Sequence, residues 1–202
     1  MEPNPDSARS HALPAFCAAV VERHASTWPP TEDQLARDFI AHFGIARLGF
    51  YDELVKWCGE VGVVVSAIEC FPHDLRGANF WHEQNMSIVL PIDGGCLISR
   101  EHTLLHEVRE LLEKLCSHIG YPTSEGAALE VRAEQFAARV RMAAFVELSK
   151  DFFQLANDVK NPLGRVCAYG LVGALTVAAV VSCAGIRRLE AQFEAQRPGR
   201  PT

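Results

Sequence analysis

Apolar residues recur at helical spacing through the N-terminal part of the chain. From about Ala8 to Ala25 they are Leu13, Phe16, Val20 and Val21, and Trp28-Pro29-Pro30 stops the run. Thr31 reads as an N-cap, followed by Glu32 and Asp33 in a first turn, where carboxylates meet the positive end of the helix dipole. That second helix carries Leu35, Phe39, Ile40 and Phe43 to a stop at Gly44. A third, Tyr51 to Val61, carries Leu54, Val55 and Cys58 and ends at Gly62. The pattern then turns extended. Val63 to Ile68 is a β-branched run, and Gly77 to Trp81 and Met86 to Pro91 read as two more strands joined by a polar turn around His82-Glu83-Gln84-Asn85.

A longer helix follows, capped by Ser99 and running to Ile119, with Gly120 and Pro122 beyond it. Its apolar stripe is Leu104, Val108, Leu111, Leu112, Leu115 and Ile119, and the same period sets His102, His106, Glu110 and Glu113 on the other face. Ser124 reads as the cap of the next helix, about Glu125 to Met142, with Leu129, Ala133, Phe136 and Val140 as packing residues and Glu130 and Glu134 beside them. A separate helix holds Phe152, Phe153 and Leu155, and Asn161-Pro162-Leu163-Gly164 breaks the chain after it. The expected fold is α+β and mostly helical, a small three-stranded sheet packed against the 99–119 helix and the helix after it. Residues 1–49 form an N-terminal helical extension, 50–145 the central domain and 146–202 a C-terminal helical region.

Within that last region the run from Val166 to Gly185 is uncharged and closed by Arg187 and Arg188. It is about long enough to cross a bilayer. Its glycines and alanines also suit a helix or helix pair buried against the domain or in an oligomer interface, and both readings stay open.

Composition narrows the function classes. Of 202 residues 49% are hydrophobic and 22% charged, which describes a globular chain. A net charge of −6 excludes a broadly basic face for phosphate, so no direct nucleic-acid partner is expected. The seven cysteines are scattered, with no C-x-x-C pair, and fit neither a disulfide framework nor a structural zinc site. The start Met1-Glu2-Pro3-Asn4-Pro5-Asp6 lacks a basic segment leading into an apolar run, so a cytoplasmic protein is expected.

The chemistry concentrates in His102-Thr103-Leu104-Leu105-His106-Glu107-Val108-Arg109-Glu110. A zincin helix carries H-E-x-x-H, two imidazoles one turn apart to grip a metal and a glutamate between them as general base. Here the last position is Glu110. A carboxylate there still reaches an ion shared with His106, since zinc accepts carboxylate oxygen at about 2.0–2.2 Å. His102, one turn before His106, is a candidate additional ligand; His118 lies about 18 Å along the axis from His106 and His82 sits on the strand turn. The blander reading is a solvated helix face, with Glu110 and Lys114 as an i, i+4 ion pair.

Beyond the motif, Gly77 through Met142 resembles the metallopeptidase domain of the ImmA/IrrE family of bacterial and phage regulators. That family's first helix reads roughly R-x-F-T-L-A-H-E-L-G-H, matched here by Arg100 to Glu107. Its next helix reads roughly E-x-x-A-N-x-F-A-A-x-L-L-M-P, and Glu130, Ala133, the Phe136-Ala137-Ala138 trio and Met142 keep that register. With the preceding helix and strand the resemblance covers about 50–142. It implies that His106 is the first metal ligand, Glu107 the general base and Glu130 the third ligand, and it places the second ligand on Glu110.

By the same resemblance the protein is a metal-dependent endopeptidase acting on a regulatory protein such as a transcriptional repressor. One imidazole with two carboxylates would hold Zn²⁺, or a harder divalent ion such as Mn²⁺. The alternative is a catalytically inactive peptidase-fold module that binds a partner through the same cleft, with or without a membrane tether. Glu134, one turn after Glu130, reads as a surface residue that could also substitute as a ligand.

Overall fold

A computed structural model describes residues 12–44, 51–72, 75–82, 85–92 and 97–158, with isolated positions between 161 and 173. The elements are α1 (Ala12–His24), a 3₁₀ turn (Ala25–Thr27), α2 (Glu32–Phe43), α3 (Tyr51–Glu60), β1 (Val63–Ile68), β2 (Ala78–His82), β3 (Asn85–Pro91), α4 (Leu97–His118) and α5 (Ala127–Asp158). The fold is α+β, mostly helical with one small mixed sheet. Two compact units divide the chain, Met1–Arg141 and Met142–Thr202. The first holds α1 to α4, the sheet and the part of α5 up to Arg141.

Local signals account for several boundaries. Thr31 caps α2 with a reciprocal pair: its backbone N–H donates to Gln34 Oε1 at 2.8 Å, and its hydroxyl accepts from the Gln34 N–H at 3.3 Å. Gly44 ends the same helix with φ of 64°, a left-handed conformation in which glycine carries no side-chain penalty. At the end of α4 the Gly120 N–H donates to Ser117 O at 3.0 Å and the Tyr121 N–H to Cys116 O at 3.2 Å, the paired bonds of a Schellman stop.

Three boundaries differ from the sequence reading. Helix α4 starts at Leu97, so Ser99 lies inside it rather than capping it. Ser124 does not cap α5 either. Its N–H donates to Glu113 Oε1 at 2.5 Å and its hydroxyl accepts from Arg132 Nη1 at 2.9 Å, while α5 begins at Ala127 after Gly126, whose φ is 55°. The two helices expected over 125–142 and around Phe152 are one helix, because residues 127–158 contain no glycine or proline to interrupt the ladder.

In the sheet the order is β1-β3-β2, with β1 parallel to β3 and β2 antiparallel to it. Strand alternation sends Met86, Ile88 and Leu90 of β3 into the core. Asn79 of β2 pairs with Ile88 in the register and is buried with it. Helix α4 packs against β2, β3, α1 and α3. Its apolar side buries Leu104, Leu105, Val108, Leu111, Leu112 and Leu115, whereas Ile119, past the last turn, is 43% exposed. Of the face read as solvated, His106 and Glu113 are buried, His102 and Glu110 partly buried and Lys114 exposed, and Glu101, Glu107 and Arg109 of the same helix are buried as well. Around Phe39 the rings of Phe16, Phe43, Trp57 and Phe136 lie with centroids 5.0 to 5.6 Å away, so aromatic edges hold α1, α2, α3 and α5 together.

Among the described residues no helix is long and apolar enough to cross a membrane. Apart from isolated positions, the uncharged run 166–185 lies outside the described residues.

Candidate metal centre

Helical spacing puts His106 and Glu110 one turn apart on α4, and α5 brings Glu130 across to them. One ligand atom from each lies within 4.8 Å of the others. His106 Nε2 stands 3.5 Å from Glu110 Oε1 and 3.3 Å from Glu130 Oε2. Three donors held about 2.1 Å from one ion in tetrahedral geometry lie about 3.4 Å from each other. Both measured edges are close to that separation, and both also pair a protonated His106 with the two carboxylates. The donor set therefore has the composition and spacing to hold a divalent ion. Access is graded: His106 is buried, Glu110 partly buried, and the Glu130 side chain 63% exposed.

The other imidazole nitrogen is held from α5. His106 Nδ1 faces Glu134 Oε1 at 3.4 Å, and the second Glu134 oxygen takes His102 Nε2 at 2.5 Å. A carboxylate on Nδ1 favours the tautomer whose Nε2 lone pair points at the triad, the carboxylate–histidine–metal arrangement of many metal sites. Because Nδ1 and Nε2 lie on opposite sides of the ring, Glu134 cannot share an ion with Nε2. His102 accordingly sits against Glu134 and outside the triad. His118 turns to the ring of Trp81, centroids 4.7 Å apart, and His82, at the exposed end of β2, is also outside the triad.

Glu107 occupies a closed position between α4 and β2. It is 5% exposed. Asn79 Nδ2 donates to Glu107 Oε2 at 2.6 Å and to Glu110 Oε2 at 2.7 Å, and Asn79 Oδ1 accepts from Lys114 Nζ at 2.5 Å. Opposite, Gly77 lets the carboxylate in: a Cβ at that position would meet Glu107 Oε1 at 2.5 Å, well inside van der Waals contact. Lys114, read as the ion-pair partner of Glu110, gives its hydrogen bonds to Asn79 Oδ1 and Asn79 O. Asn79, Gly77 and the orienting role of Glu134 were not picked out from the sequence. The available hint for Asn79 was a residue of low strand propensity inside an otherwise aromatic strand.

Proton affinities follow the geometry. Burial works to lower the His106 pKa, but hydrogen bonds to Glu110 and Glu134 outweigh it and carry the imidazole up to about 10. Burial pushes the Glu107 carboxyl upward, with Glu110 and Glu130 adding to the rise and Asn79 and His106 opposing it. Glu110 is held below its usual range, first by its hydrogen bond to His106 and then by Asn79 and Lys114. Glu134 is held well below, first by His102 and then by His106. Two neighbouring carboxylates on one helix, Glu107 and Glu110, are thus pushed in opposite directions, which is the separation an acid/base group and an ionised ligand require.

Comparison of the chain with protein-family models, with curated proteins and with solved structures found no match. What this centre can do is read from its own atoms.

Proposed function

We propose that the first unit is a metal-dependent endopeptidase domain of the ImmA/IrrE type, acting on a regulatory protein such as a transcriptional repressor. The observation that supports this most is the convergence of His106, Glu110 and Glu130, with one ligand atom of each within 4.8 Å of the others, beside Glu107. The donors suit Zn²⁺ or Mn²⁺, one imidazole and two carboxylates favouring the harder ion more than a two-histidine set does. Held by His106, Glu110 and Glu130, a divalent ion would supply Lewis-acid chemistry for a peptide carbonyl and for water.

The chain's own groups do the rest. Glu107, with its pKa raised by burial, takes a proton from the attacking water and returns it to the leaving amine. Strand β2 pairs with β3 on one side and, among the described residues, with no strand on the other. We assign that side to an extended peptide substrate lying past the centre.

Metal analysis of the purified protein, together with cleavage assays of Glu107→Gln, tests the proposal. Stoichiometric Zn or Mn in the wild type, and a Glu107→Gln variant that folds but does not cleave, are the expected results. Protein that stays metal-free in replete buffer sinks the reading. One observation favours the second reading, a binding module that no longer cleaves: Glu107 is almost closed off from solvent. In that case Glu107→Gln leaves partner binding and biological function unchanged.

A further inference from the structure

In a two-histidine zincin helix the second ligand is a neutral ring with one free nitrogen; this chain has a carboxylate there, with two oxygens and a negative charge. Glu110 is three residues from Glu107, so α4 places two carboxylates on neighbouring positions. Unrestrained, each of their oxygens can approach the same ion, and the two charges repel. Something has to decide which carboxylate is the ligand.

We propose that Asn79, locked by Lys114, is the positioning residue that makes Glu110 a one-oxygen metal ligand and keeps Glu107 out of the coordination sphere. This inference rests on the metal-centre reading. An amide nitrogen has two hydrogens, and Asn79 gives one to Glu107 Oε2 and the other to Glu110 Oε2, at 2.6 and 2.7 Å. Glu110 Oε1 is left facing His106 Nε2. Glu107 is fixed from both sides, by Asn79 on Oε2 and by the close approach of Gly77 to Oε1.

The amide orientation is itself determined. Lys114 Nζ donates to Asn79 Oδ1 at 2.5 Å and to Asn79 O at 3.0 Å, so the amide oxygen faces the ammonium. A flipped amide would set its oxygen against two carboxylate oxygens and its NH₂ against a cation. Lys114, Asn79 and Glu110 therefore form one unit: a carboxylate ligand at position 110 requires a two-hydrogen donor across from it, and that donor requires a cation behind it.

A double-mutant cycle on metal binding tests the unit. Co²⁺ affinity and the visible Co²⁺ absorption band are measured for wild type, Asn79→Ala, Glu110→His and the double variant, with thermal melting of each metal-free protein as a folding control. Asn79→Ala is expected to weaken Co²⁺ binding by about 10–100-fold, the range for an outer-shell partner, and to change the band as the coordination changes. In the Glu110→His background, where no second ligand oxygen exists, the same substitution is expected to shift affinity by no more than about twofold, the scatter of uncoupled sites.

Lys114 is exposed, so Lys114→Met folds even where Asn79→Ala does not, and it carries the test alone. It is expected to weaken binding in the same direction by a smaller factor, again only while Glu110 is present. Equal losses in both backgrounds, or none in either, overturn the proposal while leaving the metal centre standing. A wild type that binds no Co²⁺ overturns the metal centre, and the role of Asn79 with it.

Discussion

Adjacent turns of α4 carry two clusters of charge that have opposite balances. Around Arg109 the guanidinium donates to both oxygens of Glu32, at 2.9 and 3.1 Å, and to Glu113 Oε2 at 2.5 Å. Arg132 reaches Glu32 Oε1 at 2.5 Å. Two cations meet two carboxylates, the contacts are short and direct, and Arg109 is 2% exposed. Around His106 the count is uneven: Glu107, Glu110, Glu130 and Glu134 face two imidazoles, His106 contacting three of them at 3.3–3.5 Å and His102 meeting Glu134 at 2.5 Å. The first cluster is complete and joins α2, α4 and α5. The second has an excess of carboxylates at spacings that could hold an ion, and it is the cluster to which we assign the metal.

The largest effect is expected from breaking the balanced cluster. Arg109→Met leaves Glu32 and Glu113 buried with less compensation and is expected to cost about 3–5 kcal/mol of stability in urea unfolding. Replacing Arg109, Glu32 and Glu113 together by apolar residues of similar volume is expected to restore most of that loss, since their desolvation goes with them. If the single variant costs less than about 1 kcal/mol, the cluster is not the structural joint it looks like. In the uneven cluster the expectation reverses. Glu130→Gln, at an exposed side chain, is expected to change metal-free stability by less than about 0.5 kcal/mol. The same substitution is expected to weaken Zn²⁺ or Mn²⁺ at least about 100-fold in chelator competition, beyond the usual outer-shell range.

The two clusters were not equally legible in the sequence. Elements with local causes were: Thr31 with Gln34 and Gly44 bound α2, Gly120 ends α4, and the β-branched run 63–68 is β1. Within the metal centre, His106 and Glu110 share a helical face by spacing alone, and Glu130 came from a resemblance over the next helix. The Arg109 cluster was invisible, because Glu32 and Arg109 are 77 positions apart and nothing local marks them as partners. The same reason hid Asn79, 28 positions from Glu107. It also explains Ser99 and Ser124: a serine before a helical stripe resembles a cap, yet the backbone ladder starts earlier at Leu97, and Glu113 and Arg132 claim Ser124. A helix face rich in charge looks solvated until the oppositely charged residues of other helices are known, which is why His106 and Glu113, both buried, read as part of a surface.

A smaller change comes from Glu134→Gln, which keeps the volume but removes the charge behind His106 Nδ1. Metal affinity is expected to fall about tenfold, or about 1.4 kcal/mol. The metal-free protein gives a second readout. His106 has its folded-state pKa raised to about 10 from the ordinary imidazole value of 6.5, so its protonation contributes stability that is fully present below about pH 6.5 and is lost as pH rises through about 10. Comparing urea unfolding of wild type and Glu134→Gln across that window is expected to show a shallower decline in the variant. Metal binding is expected to run the opposite way, tightening with pH as the ion competes with the imidazole proton. Identical pH profiles for the two proteins would separate Glu134 from His106.

The smallest effect is expected from a third ion pair that bridges the same two helices as part of the Arg109 cluster. Asp33, next to Glu32 on α2, meets Arg139 of α5 at 2.7 Å, with the two side chains 54% and 42% exposed. Glu32 meets Arg132 at 2.5 Å with both side chains largely covered. Contact distance hardly separates the pairs; solvent does. In water the Asp33–Arg139 attraction is screened and its long side chains lose rotamer freedom, so Arg139→Ala is expected to cost no more than about 0.5 kcal/mol. Raising the salt concentration is expected to erase even that. If Arg139→Ala instead costs as much as Arg109→Met, charge pairing between α2 and α5 matters irrespective of burial. The Arg109 cluster would then lose its distinction as a desolvated joint, and the excess of carboxylate around His106 would stand alone as the unusual feature of α4.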